Sequence, residues 1–437
     1  MANSFQAGAS SIDITPVDSQ FLFGYPHVER YSSGIHDPLL SSALYLSDGP
    51  EHLMFIANDI IFISKASSLR VRKKIMDSTG IPFENIMISA THTHSGPITV
   101  NCISNAHDAA VPEVDKNYIR FFEERLVSVA IDAYKNKSGA VAGLSVADSS
   151  GIGTNRHDPA GSADHEVPVL VFKSKKSDDY IACMLVCTMH PTVLHEDSTL
   201  ISADFPGMAR QYMQNAGIDC PVLHHTGPAG NLSPRHVTKA NTFAEAKRIG
   251  HILGKSVVKA VSGINFIPDI NLKARRTEVN LHRKNFPTVG TARKHLETAR
   301  VRLEHLRIEG ADSSEVRTAE CDWFGAEETL SLAQSAAEGR LEDVYQSCLP
   351  AEIQVFAIGP WTFVGWPGEL FVEYALAIKR IYHDTFIISL ANGELQGYIV
   401  TQEAAAENTY EASNALFSHH SGMVIVNETV NLLKTVK

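Results

Sequence analysis

The stretch NIMISATHTHSGP, residues 85–97, sets an apolar, β-branched run directly against two histidines and a Ser/Gly/Pro turn. Such a run, bounded by turn residues, reads as a strand that ends at a loop. Residues i and i+2 of a strand face the same side, so His92 and His94 are expected to point into one space. Open α/β sheets carry their ligands at strand ends. Two imidazoles there suit a metal ligand beside a proton-carrying group, although two histidines hydrogen-bonded to local backbone would give the same pattern.

Outward from this stretch the theme repeats in HLMFIAND (52–59), VPVLVFKS (167–174), YIACMLVCTM (180–189), CPVLHHTG (220–227), EIQVFAIG (352–359), WTFVGWPG (361–368) and TFIISLANG (385–393). Most of these runs end in Gly, Pro, Asn or His, which marks strand ends at loops. Helical spacing appears between them. Ile119, Phe122, Leu126 and Ala130 fall on one face of 116–136, and a second helix is expected from an Asn241 cap to Gly263. The alternation predicts an α/β fold of mixed β-sheets flanked by helices, in a single domain over 1–437. Residues 288–346 are charged and helical in two pieces joined by a polar turn. They read as an inserted helical hairpin with a solvated face, in preference to a lid or an oligomer contact.

Composition excludes some functions. The 437 residues are 44% hydrophobic and carry 38 Lys+Arg against 49 Asp+Glu, net -11, with no long basic block. Nucleic-acid binding and polybasic membrane attachment are therefore not expected. The six cysteines form no CxxC pair, and Cys183 and Cys187 lie in an apolar run that suits buried thiols. Residues 1–16 lack a basic-then-apolar signal, and no apolar stretch is long enough to span a bilayer. A soluble cytoplasmic chain without stable membrane insertion is the expectation.

Five further places carry chemistry. His190 follows the apolar run ending at Met189, whereas His195, flanked by Glu196 and Asp197, reads as a solvated loop residue. In HHTGPAGNLSPR (224–235), a Gly/Pro-rich loop offers Asn231 and Ser233 to a substrate; a nucleophilic Ser233 would need an adjacent base that the sequence does not supply. Glu369 follows Pro367-Gly368 and suits a metal ligand or base, or equally a first-turn acid favoured by a helix dipole. Tyr398 and Tyr410 fall in loops. Asp59 ends an apolar strand and is the better candidate than His36 or Asp37 for a group that orients ligands and lines the substrate site.

Taken together and in order, AGASSIDITP, GYPH, GIHDPL, ISATHTHSGP, NRHDP, MHPT, SADFPG, GNLSP, GWPGE and GYIVTQEAAAENTYE resemble the neutral/alkaline ceramidase catalytic domain through most of the chain. The resemblance implies a zinc amidohydrolase holding one Zn2+ on His92, His190, Glu369 and Tyr398. It also implies that His94 faces the scissile group, and that Arg156 and Tyr410 surround the reacting carbonyl. Two imidazoles and a carboxylate match His2Glu zinc hydrolase sites, where the ion lowers the pKa of water to roughly 7.

Full ceramidases carry a further C-terminal β-rich domain, which is not expected here, and no exposed apolar stretch suits uptake of two long chains. The expected substrate is therefore an N-acylated small molecule, such as an acylated sugar or amino compound, cleaved at its amide. Ceramide or another N-acyl lipid, a metal-dependent esterase, and a non-catalytic binding protein are the alternatives, with a homo-oligomer left open. A binding protein would have no use for His94, Arg156 and Tyr410. TIM-barrel amidohydrolases place their HxH near the N-terminus, and metallo-β-lactamase-like enzymes follow HxH with Asp-His, where this chain has Ser95-Gly96-Pro97.

Overall fold

Strands buried on both faces account for the continuous apolar runs. His52–Asn58 and Ile86–Ala90 are covered almost throughout, and they pair in parallel. In the computed structural model, which describes residues 5–25 and 27–437, they lie at one margin of an eight-stranded sheet. Its spatial order is Val222–Thr226, Tyr180–Cys187, Glu166–Ser174, Ser138–Asp148, Gln6–Asp13, Leu40–Ser47, His52–Asn58, Ile86–Ala90. The interior pairs are antiparallel and both margins are parallel, so the sheet is mixed.

The two margins meet. Ser89 Oγ and His225 Nδ1 are hydrogen-bonded at 2.7 Å, and Thr226 Oγ1 donates to the Thr91 carbonyl at 2.7 Å. This closure sets the C-terminal ends of distant strands side by side.

A second sheet, Leu272–Val279, Ala351–Ile358, Trp361–Gly365 and Thr385–Ile388, stacks on the first through a shared apolar layer. Phe55 meets Phe356 edge-to-face there, ring centroids 5.1 Å apart. Helices cover the outer faces. Lys65–Thr79, Lys116–Lys135, Asp204–Asn215 and Phe243–Val261 pack on the large sheet, while Val372–Ile381 and His420–Val436 pack on the small one. The α/β expectation holds, and the helix expected from the Asn241 cap starts one residue later, with Thr242 accepting from the Glu245 amide.

The 288–346 segment departs from its expected role. Val289–Glu309 and Ser313–Ala337 do pair as a hairpin, followed by Leu341–Cys348. The second helix is not a solvated elaboration, however. Ala319, Phe324, Glu328, Leu332 and Ala333 are buried, and it packs on the short helix Tyr410–Asn414. All six cysteines are free, four of them buried. No helix among the described residues is long and apolar enough to cross a membrane.

Candidate metal centre

Strand Ile86–Ala90 ends before the histidines, so alternation is not what brings them together. His92 has a left-handed backbone, φ 70°, and its amide donates to the Ile60 carbonyl. That turn throws its ring into the space between the sheet margins. Its Nδ1 donates to the Ile61 carbonyl at 3.0 Å. His190, just past Tyr180–Cys187, does the same with the Ala229 and Leu232 carbonyls at 2.6 and 3.0 Å. With Nδ1–H committed to backbone, each ring presents the Nε2 lone pair.

Both lone pairs face one carboxylate oxygen. Glu369 Oε2 lies 3.1 Å from His92 Nε2 and 2.9 Å from His190 Nε2. Glu369 is not a first-turn acid; it sits in the short strand Glu369–Leu370, while the following helix begins at Val372. That strand pairs in parallel with Tyr398–Ile399, register Glu369 to Tyr398, which sets the tyrosine beside the carboxylate.

All of these groups are buried. Burial would raise the Glu369 carboxyl, but His92 and His190 outweigh it and hold the group well below its usual range. Burial, above all, pushes the His190 imidazole down and so keeps it neutral. Two imidazole nitrogens and a carboxylate oxygen converging at these distances are a donor set of the kind that holds a metal ion. His94 joins them. Its Nε2 is 3.3 Å from His92 Nε2, and atoms of His92, His94 and His190 all fall within 4.8 Å of one another. Burial first, then His92 and His190, pushes the His94 pKa well down.

His94 has its position because of Gly24. At φ 122° a Cβ on residue 24 would stand 2.3 Å from His94 Nδ1.

Arg156 Nε lies 2.5 Å from Glu411 Oε1, and its NH2 donates to the Gly230 carbonyl. Its guanidinium stands 5.3 Å from the Tyr398 ring and 6.0 Å from that of Tyr410. Burial and Glu369 push the Tyr398 phenol well up, against the pull of Arg156; burial and Glu328 do the same to Tyr410. Both hydroxyls therefore stand as protonated donors.

The site opens through a cleft bounded by His94, His190, Arg156, Tyr398 and Tyr410 on the inner side. Ser233 lines it, and its Oγ accepts from the Arg235 amide at 3.3 Å. Asp59 and Asn231 are not brought to it. Asp59 is fully buried in a bidentate pair with Arg210, and Asn231 joins Glu373 to the Val372 amide. His36 stacks on Phe243 at 3.9 Å, and Asp37 accepts from Ser202 and Ala203.

His195 is a correction: it lines the cleft against Tyr25, and burial with Arg317 lowers it to about 4. Sequence reasoning passed over Tyr25, Arg235, Arg317, Phe324 and Glu328. Tyr25, inside GYPH, and Arg235, at the end of HHTGPAGNLSPR, stood within quoted motifs; the other three did not.

Residues 5–110, which include His92 and His94, match the family described as neutral/alkaline non-lysosomal ceramidase, N-terminal. The fold agrees over nearly the whole chain. Neutral ceramidase from Pseudomonas aeruginosa superposes with a TM-score of 0.76 at 18% identity, covering 98% of this chain and 73% of that one.

The chain resembles the neutral/alkaline ceramidases in fold and, over residues 5–110, in sequence.

A second solved ceramidase, complexed with C2, gives a TM-score of 0.73 at 17% identity over 97% of this chain and 74% of the other. Neutral ceramidase 1 of Arabidopsis thaliana is 23% identical over 229 residues, 49% of this chain and 29% of that protein. The Oryza sativa neutral ceramidase is 30% identical over 100 residues, 22% and 13% of the two chains. The chain thus matches less than a third of the length of these curated relatives.

Proposed function

We propose that the chain is a zinc-dependent hydrolase that cleaves the amide of an N-acylated small molecule. His92, His190, Glu369 and Tyr398 are the ligands in this reading. The convergence of two imidazole lone pairs on one carboxylate oxygen, at 2.9 and 3.1 Å, carries it. A divalent ion held there would polarise the amide carbonyl and bring the pKa of water to about 7.

The chain's own groups do the rest. His94, kept neutral, takes a proton during attack and returns it to the departing amine. The Tyr410 hydroxyl, held with Arg156 behind it, donates to the oxygen that gains charge, and losing one such donor typically costs about 10²–10³ in rate. Ceramide or another N-acyl lipid is the second reading, favoured by the family match.

Metal content by mass spectrometry, on the wild type and on Glu369→Gln purified without chelator, tests the centre. About one zinc per chain, lost in the variant, supports it. Hydrolysis of a panel of N-acyl amines, scored against a short-chain ceramide, separates the two substrate readings. Wild-type protein that takes up no metal would end both.

A further inference from the structure

The chain as a whole is acidic, net -11, yet among the described residues its cleft is lined by three arginines and no carboxylate. What a ligand meets there depends on which of these cations is already paired.

The three cations are not equivalent. Arg156 is occupied by Glu411 and the Gly230 carbonyl. Arg317, on the helix Ser313–Ala337, is held by Glu196 at 3.2 Å and Glu320 at 2.5 Å. Arg235 differs. Its half-buried guanidinium donates to Cys321 Sγ at 3.2 Å, and no carboxylate of the described residues lies within ion-pair distance. A planar cation with spare donors, facing a cleft, fits a planar anion in a two-point grip.

Its placement is rigid and tied to the metal centre. Arg235 sits in the short 3-10 turn Pro234–His236, capped by Ser233, immediately after Leu232. The Leu232 carbonyl is one of the two that orient His190. One loop therefore sets both the ligand and the cation above it. Burial first, then Arg317 and Arg235, depress His195 on the same wall, against Glu196 and Asp197. Tyr25 and Phe324 supply the apolar surface beside them.

We propose that Arg235, backed by Arg317, receives an anionic group on the substrate. The substrate class is then an N-acylated amine bearing a carboxylate or sulfonate, such as an N-acyl amino acid. This rests on the hydrolase reading above. The reaction balances as hydrolysis: water adds across the amide, the C–N bond breaks and a C–O bond forms. The transferred proton leaves on the amine, and no redox partner is needed.

The test compares N-lauroylglycine with neutral N-lauroylglycinamide on the zinc-loaded chain, in wild type, Arg235→Gln and Arg235→Lys. Wild type should favour the carboxylate by about 10–100-fold in kcat/KM, chiefly through KM, as expected for a charge-assisted pair. Arg235→Gln should bring that ratio close to one, and Arg235→Lys should restore part of it. Zinc content and circular dichroism confirm that each variant is folded.

Calorimetric binding of the same two compounds reads the anion site separately from turnover. Carboxylate-selective binding that Arg235→Gln abolishes, without hydrolysis, would uphold this inference and overturn the hydrolase reading. Hydrolysis without a carboxylate preference, or a preference that survives Arg235→Gln, would overturn this inference alone.

Discussion

Glu411→Gln is the sharpest test of how the site is held. The carboxylate is 1% exposed, with Oε1 2.5 Å from Arg156 Nε and Oε2 3.0 Å from His157 Nε2. Burial alone would raise its pKa, but Arg156 and His157 bring it down to about 2 from 4.5. A depressed acid contributes stability that is complete above the unfolded pKa and is lost as pH falls through the folded one. A shift of 4.5 to about 2 corresponds to about 3 kcal/mol. Removing the charge also leaves Arg156 buried without a counter-ion, a change that costs about 3–5 kcal/mol in comparable pairs.

The assay is urea unfolding of wild type and variant from pH 7 down to pH 2. The wild type should lead by about 3 kcal/mol at neutral pH, and the gap should close as the wild-type carboxyl protonates towards pH 2. A gap below about 1 kcal/mol at pH 7, or one that does not change with pH, would refute the reasoning.

Gly24→Ala should reduce kcat/KM at least tenfold with zinc retained, because the added methyl displaces His94 and leaves His92, His190 and Glu369 in place; metal analysis beside steady-state kinetics checks it. Asp59→Asn should destabilise the fold by about 3–5 kcal/mol through the orphaned Arg210 while leaving KM close to wild type, which denaturation and kinetics together would show.

The parts of the fold legible in the sequence are those where a strand is buried on both faces. Ile86–Ala90 and Tyr180–Cys187 announce themselves as unbroken apolar runs. Gln6–Asp13 does not, because it is built mostly from Ala, Ser and Gly, and serines interrupt the apolar residues of Leu40–Ser47. At Gly8 a Cβ would stand 2.3 Å from the Ala133 carbonyl of the covering helix, so close packing removes the hydrophobic signal.

At the site, the residues His92, His94, His190 and Glu369 were legible as metal-capable types, but the geometry expected of them was not. A positive-φ turn, not strand alternation, aims His92. Arg317 and Glu328 stayed hidden because a charged helix does not declare which of its faces is packed. The contact between the two sheet margins is a long-range property with no local trace.

That seam has a consequence for the order of events during synthesis. The proposed ligands come from residues 92, 190, 369 and 398, so the first two emerge from the ribosome long before their partners. Until Glu369 arrives, the two Nε2 atoms lack the carboxylate on which they converge, and the margins they join have no second sheet beneath them. On the proposed ligand set, metal acquisition is therefore expected as a closing step of maturation, after the finished chain has drawn the seam together.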